Sequence, residues 1–164
     1  MDRVRLLEAL KAYTVEATKD LLLPVRVQSD SELPVMRPPA VYCMRLPDSK
    51  SAMKKTPYIL HQAVTSRDQQ DRGEPLESSA VIRTIFAVYS DDEQEGGLHL
   101  LNVMERFRIP LLRNPWIANG QFELDLQDGV ESMIYPDDTA PYFVGEMMTT
   151  WRMPPVKREV PQIW

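Results

Sequence analysis

The sequence has few of the residues that form covalent cross-links and metal sites. Cysteine occurs once, at Cys43, and histidine twice, at His61 and His99. A single cysteine excludes an internal disulfide, and because nothing near Cys43 would activate its thiol, we interpret it as a small apolar filler. The chain has no HxH, HExxH or CxxC spacing, so the sequence predicts no zinc site. We expect neither a metal nor another cofactor.

Long apolar runs are also missing. No stretch approaches the roughly 18 apolar residues that a membrane-spanning helix needs. The N-terminal MDRVRLLEALKAY places charges among its apolar positions, unlike a signal peptide. The net charge of −5 argues against a protein whose main task is to bind phosphate backbones. We therefore expect a soluble protein with no membrane contact.

Proline, in contrast, is abundant: the chain has 14, six of them between residues 24 and 57. An average usage of about 5% would give about eight in a chain of this length. Because proline fixes φ and has no N–H donor, we expect residues 24–56 to form an extended arm, with a short strand at 41–46. A length of 164 residues suits one domain, 1–164. Its predicted parts are a helix at 1–23, the arm at 24–56, a core at 57–155 and a tail at 156–164.

Apolar periodicity predicts two helices. In residues 2–21, one helical face carries Leu6, Leu10, Tyr13 and Ala17. The second helix follows residue 95, and Pro110 should kink or shorten its last turn. Its predicted buried positions are Leu100, Val103, Met104, Phe107 and Leu111.

Five segments have the composition of strands: 57–64, 80–90, 122–126, 129–135 and 142–153. The order of helices and strands predicts an α+β fold. We expect a mainly antiparallel sheet of about four to five strands, with two helices packed on it and the proline-rich N-terminal arm.

Several details of the sheet follow from alternation. Residues 80–90 are apolar on both faces, which is typical of a central strand covered on both sides. Leu126 is predicted to point inward after Phe122 and Leu124. The segment 142–153 places Glu146, Thr150 and Arg152 on a solvent-facing or subunit-facing side.

A polar segment at 65–79 separates two predicted strands. Hairpin connections usually have 2–5 residues, so a loop of this length is either mobile or functional. It carries Arg67, Asp68, Asp71 and Arg72. We expect it to project toward a partner or a lumen.

Four carboxylates occupy five positions at Asp91, Asp92, Glu93 and Glu95. They have the oxygen ligands of a Mg²⁺ site, to which Glu123 and Asp125 would add ligands in a metal-dependent nuclease. Nucleases of this kind place a lysine nearby, and no lysine lies between Lys55 and Lys157. Acidic residues also favour the positive end of a helix, and an amphipathic pattern follows directly. We therefore favour the start of a helix and keep the nuclease as the weaker alternative.

Two segments of the sequence resemble the tail-terminator and tail-completion proteins of long-tailed bacteriophages and prophages. The first segment is YSDDEQEG followed by LLNVMERFRIPLLRN, and the second is PYFVGEMMTTWRMP. The resemblance covers about residues 57–155. The chain departs from the resemblance at Pro110. This proline lies inside a helix that we would expect to be uninterrupted in this family.

The resemblance implies a non-enzymatic virion protein of the tail or neck, assembled in the bacterial host cytoplasm. Six subunits would commonly form a ring that caps the tail tube, stops its polymerisation and docks to the head–tail connector protein. Its partners would be further copies of itself, the tail tube protein and that connector, while DNA would pass through the lumen without specific binding. A head–tail connector or neck protein of similar fold is the alternative. The candidate interface or lumen residues are Arg67, Asp68, Asp71, Arg72, Asp91, Asp92, Glu93, Glu95, Glu146 and Arg152.

Overall fold

The computed structural model describes residues 2–26, 35–47, 55–135 and 140–159. Its two helices are α1 (Arg3–Thr18) and α2 (Glu93–Arg113). In chain order the strands are β1 (Leu23–Pro24), β2 (Met36–Arg37), β3 (Ala40–Cys43), β4 (Tyr58–Gln69), β5 (Glu77–Tyr89), β6 (Trp116–Ile117), β7 (Phe122–Leu124), β8 (Glu131–Ile134) and β9 (Tyr142–Met153). The predicted α+β class and the two helices are confirmed.

The main sheet has seven strands in the order β3–β4–β5–β9–β7–β6, and β8 also pairs with β9. The β3–β4 pair is parallel and the other pairs are antiparallel. The prediction of four to five strands was too low. β6 has two residues, too few to show any periodicity. β3 matches the short strand predicted at 41–46 within the arm, which the predicted four to five strands of the sheet did not include. β1 and β2 form a separate two-stranded sheet.

Both helices pack on one face of this sheet. All five predicted positions of α2 are buried, and they meet the core-facing side chains Phe86 of β5 and Trp151 of β9. This arrangement places the core between the helices and the sheet, and no helix of the described residues covers the other face. A smaller cluster around Leu46, Tyr58 and Val144 covers one end of that second face. β5 is therefore central, as predicted, but helices cover it on one side only.

Helix α1 buries a slightly different line from the predicted one. Leu6 and Leu10 are fully buried. The buried face of the helix then continues through Thr14 and Thr18 rather than Tyr13 and Ala17. The hydroxyl of Thr14 donates to the Leu10 carbonyl at 2.6 Å, and that of Thr18 donates to the Thr14 carbonyl at 2.8 Å. Because these bonds satisfy the hydroxyls within the helix, threonine can be buried there.

The first turn of α2 approaches β9 very closely. A Cβ added to Gly96 would lie 2.0 Å from a ring carbon of Phe143, whereas one added to the neighbouring Gly97 would meet nothing within 4 Å. Only glycine therefore fits at position 96 without moving Phe143. Farther along, Met104 lies against Gly145 of the same strand.

One prediction about a single residue was wrong, and the helix shortening expected at another residue is not seen. Leu126 is 48% exposed, because β7 ends at Leu124 and the chain bends before Leu126 can face the core. α2 is not shortened at Pro110 but runs on to Arg113, and the Asn114 N–H donates to the Pro110 carbonyl at 2.9 Å. Proline removes a single donor near the exposed end of this helix, which the remaining turns tolerate.

The prediction of a loop at 65–79 was also wrong. β4 and β5 pair as far as Gln69 and Glu77, so residues 70–76 alone connect them. We call this extension of the two strands, residues 64–79, the hairpin arm. Its strands are polar because most of their side chains lie in solvent, and the apolar alternation that marks half-buried strands is therefore missing.

Some predictions fall outside the described residues. Residues 27–34 and 48–54 of the predicted arm lie outside the described part of the chain, and so do the last five residues of the predicted tail. Among the described helices, none has both the length and the apolar character needed to cross a membrane.

Candidate functional site

Two of the candidate interface residues lie on the sheet face opposite the two helices. Arg67 of β4 pairs with Ser79 of β5, and Ser79 pairs with Arg152 of β9. Neighbouring strands lie about 4.8 Å apart, so the Cα atoms of the two arginines are about 10 Å from each other. They line a groove of about 480 Å³ at the base of the hairpin arm. Its other wall is the turn that carries Asp125 and Asp128.

The carboxylates of Glu123 and Asp125 neutralise Arg152. Its guanidinium lies 3.8 Å from Glu123 and 3.5 Å from Asp125. The same Asp125 carboxylate accepts the Gln127 N–H at 2.9 Å, and the Asp125 N–H donates to the Thr150 carbonyl at 2.8 Å. These contacts fasten the turn to β9 and hold Asp128 at the rim of the groove.

Arg67 and Asp128 have no such partners within the described part of the chain. Neither side chain makes a hydrogen bond or an ion pair there, and both are exposed. The groove continues into a second cavity of about 360 Å³, which Arg67, Ser79 and Asp128 also line. The floor of this second cavity carries hydroxyl groups, including that of Thr150. We name the joined cavities the Arg67–Asp128 groove; among the described residues it offers one unpaired cation, Arg67, and two unpaired anions, Asp128 and Glu77.

The remaining candidate residues of the arm lie elsewhere on it. Asp68 accepts the Ser78 hydroxyl at 2.6 Å across the pair, on the opposite face from Arg67. Asp71 and Arg72 lie at the tip, in a turn closed by the Glu74 N–H donating to the Asp71 carbonyl at 3.0 Å. The tip and the groove are thus two separate polar sites on one chain.

The four acidic residues lie at the start of α2, as predicted. Asp92 is the N-cap, and its carboxylate accepts the N–H groups of Gln94 at 2.9 Å and Glu95 at 3.3 Å. Asp91, Glu93 and Glu95 are exposed.

The structure separates this acidic cluster from Glu123 and Asp125, which the nuclease interpretation would join to it. Glu123 lies beside Arg152, opposite Ser79, whereas the cluster follows Tyr89 at the far end of β5. Ten residues of strand at about 3.3 Å each put about 33 Å between the two sets. They cannot share an ion. No three histidine, cysteine or acidic side chains among the described residues are placed to hold a metal.

Glu146 lies in the middle of β9 on the open sheet face, opposite Ile85. It accepts the hydroxyl proton of Tyr135 at 2.8 Å. Partial burial and this hydrogen bond raise the pKa of Tyr135. Glu146 therefore joins the strand β9 to the end of β8 and lies apart from both the acidic cluster and the groove.

A buried polar network surrounds His61; it was not predicted, because the strand around this residue is simply apolar. The ring is fully buried, with Nε2 2.8 Å from the Thr14 hydroxyl and Nδ1 2.8 Å from that of Thr84. Since Thr14 donates its only hydroxyl proton to Leu10, it must accept a proton from Nε2, so Nδ1 accepts from Thr84. Burial lowers the pKa of His61 to about 3 and keeps the ring neutral.

Asp128 was also absent from the predicted candidate residues. The Asp128–Gly129 pair signals a turn, but no pattern in the sequence shows that the turn faces the hairpin arm. No protein-family model matches this sequence, and no curated protein is significantly similar to it.

Proposed function

We propose that this protein is a virion assembly protein resembling the tail terminators of long-tailed bacteriophages. In this proposal its copies form a ring, commonly of six, that caps the tail tube, stops its polymerisation and docks to the head–tail connector. DNA passes through the lumen during injection, and no chemical reaction is catalysed.

One observation carries the proposal. The two segments that are most specific for the resemblance pack against each other as a single unit, α2 on β9. Gly96 of the first segment touches Phe143 of the second, and Met104 touches Gly145. Segments about 40 residues apart in the sequence therefore share one contact surface, which is what a resemblance of fold requires and a chance similarity of two short motifs does not.

The distribution of surfaces supports a ring. Closed rings use head-to-tail interfaces, in which each subunit shows two different complementary surfaces. On α2, Leu98, Leu101, Ile109 and Leu112 are each at least 38% exposed and form an apolar stripe away from the core. The hairpin arm and the Arg67–Asp128 groove, both polar, lie at the end of the sheet farther from the start of α2.

The exposed acidic residues at the start of α2 suit passage of DNA. Asp91, Glu93 and Glu95 project from the sheet end that lies opposite to the groove. Carboxylates repel phosphate groups, so a lumen that carried them would let DNA slide without being held.

The oligomeric state tests the proposal. The molar mass is measured by light scattering over a range of protein concentrations, alone and with the tail-tube protein encoded in the same genome. We expect a discrete ring of about six subunits, at least when the tube protein is present. A strict monomer under every one of these conditions would rule out the ring.

Deletion of the gene separates a terminator from a connector. Loss of a terminator gives overlong tails without heads, because tube polymerisation has no stop. Tails of normal length that fail to join heads would instead assign the protein to the connector or neck.

A further inference from the structure

We propose that the tip of the hairpin arm of one copy docks into the Arg67–Asp128 groove of a second copy. Arg72 of the tip pairs with Asp128 of the groove, and Asp71 pairs with Arg67. The inference rests on the proposed ring-forming function and names the contact that joins neighbouring subunits.

The groove has the chemistry of a receptor for a paired cation and anion. Arg152 is already neutralised by Glu123 and Asp125 at 3.8 and 3.5 Å. The exposed carboxylate of Glu77 on β5 also lines the larger cavity without a partner among the described residues. The other unpaired groups there are the guanidinium of Arg67 and, across the groove, the carboxylate of Asp128. Two adjoining cavities of about 480 and 360 Å³ share these residues, so the groove is long enough for a turn of backbone.

The tip has the matching charges on a preformed turn. The Asp71–Glu74 hydrogen bond closes it at 3.0 Å, and Gly73 takes the positive φ of +84° that the turn requires. The side-chain amide of Gln70 donates to the Glu74 carbonyl at 2.9 Å and braces the turn further. Arg72 stands at its apex. Because the backbone is already ordered, docking costs little conformational entropy.

A single chain cannot make this contact with itself. Arg67 lies on the arm four residues before Asp71, and a strand rises about 3.3 Å per residue. The tip therefore stands about 13 Å beyond Arg67 and points away from the groove. A second copy supplies both missing partners at once.

The contact is also head to tail. Tip and groove are different surfaces of one chain, so each docked subunit leaves another tip and another groove free, and the chain of contacts ends only when a ring closes. Exposed ion pairs contribute little to the strength of a contact, so these pairs set the register and the choice of partner more than the strength of the ring.

Charge reversal tests the contact. Arg72→Glu reverses the tip and Asp128→Arg reverses the groove, and oligomer formation is followed by light scattering across a concentration series. We expect each single variant to need about tenfold more protein to assemble, the change that about 1.4 kcal/mol per contact produces. The double variant Arg72→Glu/Asp128→Arg assembles like the native protein, since its tips and grooves are again of opposite charge.

Mixing provides the sharpest comparison. In a 1:1 mixture of the two single variants, every tip meets a groove of opposite charge if the subunits alternate, so rings with an even number of subunits form. Lys11→Glu is the matched control for Arg72→Glu, because it makes the same change of net charge. It lies on an exposed part of α1, away from tip and groove, and should leave assembly unchanged. Arg72→Gln, which only neutralises the tip, gives an intermediate loss.

The outcomes separate this contact from the proposed function. The tip-in-groove contact is wrong, and the ring stands, if the native protein assembles and both charge-reversed variants assemble equally well. The same conclusion holds if the single variants are folded but neither mixing nor the double variant restores their assembly. If the native protein is monomeric even with the tube protein, both proposals fail. Melting temperatures check that the exposed substitutions leave the fold intact.

Discussion

His61 shows how a titratable residue can be built into a core without being charged. Two threonine hydroxyls satisfy its ring nitrogens, and Phe107 lies against it with 5.6 Å between ring centroids. Its pKa of about 3 in the folded protein lies below the usual 6.5. Between these values, protons bind the unfolded chain more tightly than the folded one.

We therefore predict a pH-dependent loss of stability that His61 causes. Its contribution is complete above about pH 6.5 and falls as the pH is lowered, at about 1.4 kcal/mol per pH unit well below 6.5. The measurement is urea unfolding at pH 6.5, 6.0 and 5.5, where few carboxylates titrate. His61→Gln, which keeps a donor and an acceptor but cannot titrate, should show a flatter dependence. Equal slopes for the two proteins would contradict the prediction.

Two adjacent glycines give the sharpest test of a residue-scale contact. Gly96→Ala would drive a methyl group into the Phe143 ring, and overpacking of this kind costs about 1–3 kcal/mol. Gly97→Ala has open space around it and should stabilise the helix by about 0.5–1 kcal/mol. Thermal unfolding of both variants measures the difference. Stabilisation by both substitutions would mean that α2 does not approach β9 as closely as described.

At the scale of elements, the start of α2 depends on one of its four carboxylates. Asp92 accepts two backbone N–H groups, while Asp91 precedes the cap and makes no such bond among the described residues. Asp92→Ala should cost about 1 kcal/mol, and Asp91→Ala should fall within about 0.5 kcal/mol of the native protein. Chemical denaturation of both variants checks this, and equal losses would show that the cluster acts through its net charge.

Pro110 gives a second prediction for this helix. The residue is exposed inside α2, where proline removes the donor that would bond to the Arg106 carbonyl. Pro110→Ala should restore that bond and stabilise the protein by about 1–3 kcal/mol. A destabilised variant in the same unfolding assay would indicate that the proline ring makes contacts that outweigh the missing bond.

The elements also show what the sequence could predict. The buried positions of α2 and the core face of β9 were predicted correctly, because a half-buried element repeats its apolar residues at a fixed period. The hairpin arm was missed since its strands lie in solvent and need no apolar face. Leu126 was placed wrongly because alternation does not show where a strand ends.

At the scale of the whole molecule, the chain places its helices on one sheet face and the Arg67–Asp128 groove on the other. Arg67 and Arg152 were both predicted as candidate residues, but 85 positions separate them in the sequence, and only the strand order β4–β5–β9 brings them together. Asp128 could not be predicted as their neighbour, because its position depends on how the turn after β7 folds back toward the hairpin arm.

The most direct test of the proposed function is the length of tail tubes. Tube protein from the same genome is polymerised with increasing amounts of this protein, and tube lengths are measured by electron microscopy. We predict that tubes become shorter as the ratio of this protein rises, each carrying a ring at one end. Tubes of unchanged length with bare ends at every ratio would contradict the proposal.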